Sequence, residues 1–160
     1  MTRDDERFAA DPSFEFVFEA RVKVAQPLLL GEAGGLQRRI VPILGGVVEG
    51  PRLQGEVLAG GADWQGIRPD GVTQVLARYV IRAADGTMIS VVNQGVRRAS
   101  EAVIRRLLAG EPVDPALVYF RAAPTFEVGE GPHAWLTENL FVTAGARRPD
   151  SVELRFYRVC

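Results

Sequence analysis

The chain has one cysteine and one histidine, and only Lys23 is lysine among its 19 basic residues. Cys160 alone cannot close an intramolecular disulfide, and four-cysteine zinc chemistry is excluded. One histidine, His133, rules out a His-rich metal centre, and no cofactor is expected. No GxSxG elbow, Walker loop or Rossmann fingerprint occurs in the strand-to-helix setting it requires. An excess of one charge is also missing: 19 basic against 20 acidic residues give a net charge of -1. That argues against a phosphate-binding surface and a nucleic-acid partner. Arg97, Arg98, Arg105 and Arg106 have no interleaved aromatics and read as a solvated, salt-bridged surface. No apolar run approaches the roughly 18 residues of a membrane span, and MTRDDERFAADPS lacks a signal peptide's apolar centre. The expectation is a cytoplasmic protein without a membrane partner, with a disordered tail over 1–12 and one domain over 13–160.

Glycine, in contrast, is dense. Seven of the 17 glycines lie in GGVVEGPRLQGEVLAGGADWQG, between Gly45 and Gly66. Neither Gly45-Gly46 nor Gly60-Gly61 leads into a helix, so anion capture at a helix start is not indicated. The block reads instead as strands and bends that deliver Asp63 and Trp64 to one end of a wall. Upstream, Phe14, Phe16, Phe18, Ala20, Val22 and Val24 alternate with charged residues, as a half-buried strand requires. Pro69-Asp70-Gly71 and Asp85-Gly86 mark tight turns around a strand over 72–82. One helix is predicted near 100–109, with Ser100 as N-cap, Val103, Ile104, Leu107 and Leu108 as its apolar stripe, and Gly110 as its stop. Further strands are predicted over 116–123, 134–143 and 151–159. The fold class is all-β: a single antiparallel β-barrel, calycin-like or allene-oxide-cyclase-like, with one short α-helix. A barrel is preferred to a sandwich because several strands carry apolar residues on both faces, the outer one covered by the helix and a dimer partner.

The segments RRIVPILGGVVEGPRLQGEVLAGGADW, RPDGV, ARYVIRAADGTMISVVNQGVR, VYFRAAPTFEVG, AWL and FVTAGAR stand in an order that resembles the domain-of-unknown-function 3237 family, also called UPF0311. The resemblance runs from about Phe14 to the C-terminus. It implies a compact antiparallel barrel, often a homodimer, with no single established activity. His133 stands where the family commonly has an aromatic, and Thr137 where it has an asparagine after the Trp-Leu pair.

The candidate catalytic residues are Asp63, Arg78, Arg121 and Tyr119. Arg78 shares a strand face with Leu76 and Val80, and Tyr119 and Arg121 share one with Leu117 and Ala123. An arginine inside a barrel needs a carboxylate or a ligand to answer it. Its partner would be Asp63 or Glu127, or an anionic oxygen of a substrate. Asp63 is read either as a turn cap or as a base with its pKa raised by Trp64. Arg39, Trp64, Tyr79, Phe126, Trp135 and His133 are candidate ligand contacts. The function expected is a small-molecule pocket protein: a cofactor-independent isomerase, cyclase or lyase acting on a small, partly apolar oxygenated substrate. The alternative is a non-catalytic binder of an aromatic or lipid-like ligand. A homodimer is expected in either case.

Overall fold

The computed structural model describes residues 10–160, so most of the expected tail lies outside the described residues. Ten strands follow one another as β1 (Phe14–Val24), β2 (Leu28–Ala33), β3 (Leu36–Glu49), β4 (Gly55–Val57), β5 (Ala62–Ile67), β6 (Thr73–Ala83), β7 (Met88–Ala99), β8 (Val118–Glu127), β9 (Phe141–Arg147) and β10 (Ser151–Val159). Among the described residues one α-helix, α1 (Glu101–Leu108), stands between β7 and β8. Strand β1 pairs with both β10 and β3, and this closes the sheet on itself. Strands β4 and β5 lie end to end between β3 and β6 and share one stave. The wall is therefore an eight-stranded closed antiparallel barrel. Closure leaves β2, paired only with β3, as an outlying hairpin arm.

Alternation explains most of the wall, and bulges explain where it inverts. On β1, Phe18, Ala20 and Val22 are buried as expected. A register shift between Phe16 and Phe18 puts Val17 inside and turns Phe14 outward, 63% exposed. One extra residue moves every side chain beyond it to the opposite face. The glycine block does form bends and strand ends. At Gly61 a Cβ would stand 2.7 Å from the Tyr79 Cβ, so only glycine lets these segments approach.

The two ends of the barrel interior differ. Around the β6–β7 hairpin the filling is aromatic. Phe18 stacks on Phe156 with centroids 4.3 Å apart, and Phe126 meets Phe141 edge-on at 5.1 Å. A short 3-10 turn, Ala134–Thr137, plugs this end with the buried Leu136. Trp135 of that turn lies against Phe141 and under the Arg52 guanidinium, 4.0 Å from its ring centroid. Asp85, in the hairpin turn, accepts a hydrogen bond from the Thr87 N–H and bonds to His133 Nε2 at 2.8 Å. These bonds hold the Asp85 carboxyl down at about 2.

Helix α1 begins as predicted. The Ser100 hydroxyl accepts from the Val103 N–H at 3.2 Å, and Gly110, with φ of 73°, follows the last turn. None of its residues is fully buried, so α1 rests against the wall without covering it.

Candidate active site at the polar end of the barrel

Away from the aromatic plug, the inward positions turn polar. Strand β3 supplies Arg39, β5 Asp63 and Gln65, β6 Tyr79, β7 Asn93 and Arg97, and β9 Arg147. All but Arg39 line one cavity of about 50 Å³, and Arg39 joins it through Gln65. Aliphatic side chains, Val22, Val41, Val75, Val152 and Leu154 among them, and the Phe120 ring form the rest of its wall. A single water needs roughly 10–15 Å³ on this measure, so the space takes a few waters or the functional end of a small ligand.

The polar groups form a short chain. Arg39 Nε donates to Gln65 Oε1 at 2.6 Å, and Gln65 Nε2 donates to Asp63 Oδ2 at 2.6 Å. Asp63 Oδ1 accepts from the Leu76 N–H at 3.0 Å. Desolvation raises the Asp63 pKa, and these two hydrogen bonds with the charges of Arg97 and Arg39 only partly oppose it. Arg97 is 8% exposed, and burial, with Arg147 and Arg39 nearby, pushes its pKa down to about 10. It remains a cation at neutral pH. Burial also lowers Arg39 and Arg147, and Arg147 adds repulsion at Arg39. Three guanidiniums thus converge on one carboxylate. Among the described residues, no acid lies within ion-pair distance of Arg97 or Arg147.

Two further polar atoms in this cavity have no partner: the Tyr79 hydroxyl and Asn93 Oδ1. Both residues are about 95% buried. Burial, reinforced by the Asp63 charge, keeps the Tyr79 phenol firmly protonated. Buried polar atoms are nearly always hydrogen-bonded, so an unpartnered pair on two residues that line a cavity marks a candidate binding feature. Among the described residues no three His, Cys, Asp or Glu side chains converge, so a metal ion finds no ready ligand set.

Of the residues singled out from the sequence, Asp63, Tyr79 and Arg39 come together here. Asp63 is a strand residue bonded across to β6, not a turn cap. Arg78, Arg121, Tyr119 and Trp64 do not reach the interior. Arg78 and Arg121 are exposed, Tyr119 is 45% exposed and Trp64 51%. The inward face of β6 carries Val75, Ala77 and Tyr79, and that of β8 carries Phe120 and Ala122, so the alternation runs opposite to the expected sense. Neither arginine forms an ion pair with Asp63 or Glu127; Arg121 instead donates to the Phe120 carbonyl at 3.0 Å. Phe126, Trp135 and His133 belong to the plugged end and do not line the cavity. Arg97, expected on a solvated surface, is inside. Arg147, Gln65 and Asn93 complete the site without having been anticipated.

The family profile of a protein of unknown function, DUF3237, matches residues 12–159. The UPF0311 protein RPA1785 of Rhodopseudomonas palustris is 40% identical over 145 residues, 91% of this chain and 95% of that protein. Its crystal structure aligns with a TM-score of 0.88, covering 96% of this chain and all of that one. A β-barrel-like protein of Acinetobacter baumannii is 30% identical, with a TM-score of 0.83 over 96% of this chain and 99% of its own. An enzyme from Penicillium herquei shares the fold at 18% identity, with a TM-score of 0.71 over 96% and 98% of the two chains. Matched over nearly its whole length by profile, sequence and architecture, the chain belongs to the DUF3237 family, also called UPF0311.

Proposed function

We propose that this protein is a cytoplasmic small-molecule enzyme that works by proton transfer: an isomerase, cyclase or lyase acting on a small, partly apolar oxygenated substrate. The observation that carries this reading is Asp63, a carboxylate with a raised pKa close to the buried Arg97 and the half-buried Arg39 and Arg147 in a largely apolar-walled cavity. The ionised carboxylate takes a proton from a carbon or hydroxyl near a substrate carbonyl. Negative charge then develops on the substrate oxygen, where Arg97 and Arg147 stabilise it. The Tyr79 hydroxyl supplies a hydrogen bond to a second oxygen of the substrate, and Asp63 returns its proton to the product. The fold shared with an enzyme from Penicillium herquei is compatible with this and adds nothing about the reaction.

Proton transfer can be tested before the substrate is known. The protein is incubated in deuterium oxide with a panel of small enolisable ketones, lactones and keto acids. Deuterium enters carbon above the buffer rate for at least one compound, and Asp63→Asn lowers that rate by about 10²–10⁴. Equal rates in the variant would remove Asp63 from the chemistry.

A non-catalytic binder of an aromatic or lipid-like molecule is the second reading. It is favoured by the fact that both Asp63 oxygens already accept hydrogen bonds, as a structural carboxylate's would. Native mass spectrometry showing a co-purified ligand, released unchanged after incubation, selects it. Either reading includes a homodimer, supported by the apolar outer wall of β7 to β10.

A further inference from the structure

The polar groups of the cavity describe their missing partner. Arg97 and Arg147 present planar forks with no carboxylate among the described residues to occupy them, while Asp63 is engaged by Gln65 and Leu76. A planar carboxylate fits such forks in the bidentate manner. The same forks also match a phosphate, so inorganic phosphate is the competing anion in the test below. The two orphans are more specific. Tyr79 Oη has a proton to donate, and Asn93 Oδ1 can only accept. A keto oxygen satisfies the first alone. A hydroxyl satisfies both at once, accepting from Tyr79 and donating to Asn93. The surrounding wall, mostly aliphatic with one aromatic ring at Phe120, suits a short apolar connection between the two ends.

We infer that the ligand is a short hydroxycarboxylic acid, its carboxylate held by Arg97 and Arg147 and its hydroxyl held between Tyr79 and Asn93. This rests on the reading of the cavity as a small-molecule site but does not require turnover. It narrows the oxygenated substrate to an acid and places the hydroxyl among the groups that would move its proton.

Calorimetric titration in low-chloride buffer tests it with 2-, 3- and 4-hydroxybutyrate, butyrate, butyramide and inorganic phosphate. One hydroxybutyrate binds at least tenfold more tightly than butyrate, and butyrate binds at least tenfold more tightly than butyramide. Tyr79→Phe removes the preference for the hydroxyl and leaves butyrate affinity unchanged. Arg97→Met loses at least tenfold in carboxylate affinity yet raises the melting temperature of the ligand-free protein, because it relieves repulsion between the buried Arg97 and its neighbours Arg39 and Arg147. A merely structural arginine would move the melting temperature the other way. Should Arg97→Met fail to fold, Arg147→Met, at the half-buried rim, gives the same affinity readout. Butyramide binding as tightly as butyrate, phosphate binding as tightly as the best acid, or no binding by any acid overturns the inference. Acid binding without deuterium exchange leaves this inference standing and removes the catalytic reading. Exchange into neutral ketones without acid binding does the reverse.

Discussion

At Asp63 burial and hydrogen bonding pull in opposite directions, and burial wins. The folded carboxyl titrates above its ordinary value of 3.8 even though Gln65, the Leu76 N–H, Arg97 and Arg39 favour its charge. The folded state therefore keeps a proton that the unfolded chain has released, and stability falls as pH rises through that window. Asp63→Asn removes the charge at constant shape. Its melting temperature should gain on the wild type as pH rises above the ordinary carboxyl value of 3.8, with no comparable trend at lower pH. The groups facing Asp63 from neighbouring strands are Arg39, Arg97, Arg147 and Tyr79, and none of them loses its proton over that range. A variant that loses ground as pH rises would show that the arginines dominate. The arginines also show what the sequence could reveal. Arg38-Arg39, Arg97-Arg98 and Arg147-Arg148 are adjacent pairs, and the first two lie wholly within strands. Each pair places one guanidinium inside and one outside. Read as charge runs they describe a surface; read by alternation they supply all three arginines of the site.

Strand β9 shows why alternation alone does not settle a barrel. It joins β8 through only two residue pairs, Arg121–Ala144 and Ala122–Thr143, whereas β7 and β8 pair continuously from Ser90–Glu127 to Ala99–Val118. At this seam the Phe120 ring lies over Gly145, where a Cβ would stand 2.7 Å from the ring. Gly145→Ala should cost about 1–3 kcal/mol in denaturant unfolding through overpacking. Phe120→Leu in the same chain should recover part of that cost, a coupling that a double-mutant cycle measures. Additive losses would mean that the ring and the glycine do not share the space. Amides of β9 should also exchange hydrogen faster than those of β6 and β7. Elements as such were legible: the tight turns, the capped helix and most strands stand where composition and periodicity put them. Which face of β6 and β8 points inward was not. Leu76 and Val80 make an outward face look like a core, and the bulge at Phe16 inverts β1 without any Gly or Pro to announce it.

For the whole molecule, the interior divides into an aromatic plug and a polar chamber, and the outer wall has an uneven surface of its own. Along β7 to β10, Val96 and Tyr119 are exposed beside Val142, Ala144 and Tyr157, and Phe14 adds to the patch after being turned outward by its bulge. The apolar residues on both faces of the strands, which favoured a barrel from sequence, are thus only half explained by closure, since α1 does not cover this surface. Under the homodimer proposal a second copy would supply the missing cover, and a stable interface needs roughly 800 Å² from each partner. Sedimentation at micromolar concentration should give twice the 17.5 kDa chain mass. Val96→Glu, at a position 37% exposed in one chain, should halve it, because a buried unpaired carboxylate at such an interface is costly. Carboxylate affinity should survive that change, since the chamber lies within a single barrel. A wild-type protein that sediments as a monomer would leave the patch without its partner. A Val96→Glu variant that stays dimeric would move the interface elsewhere on the wall.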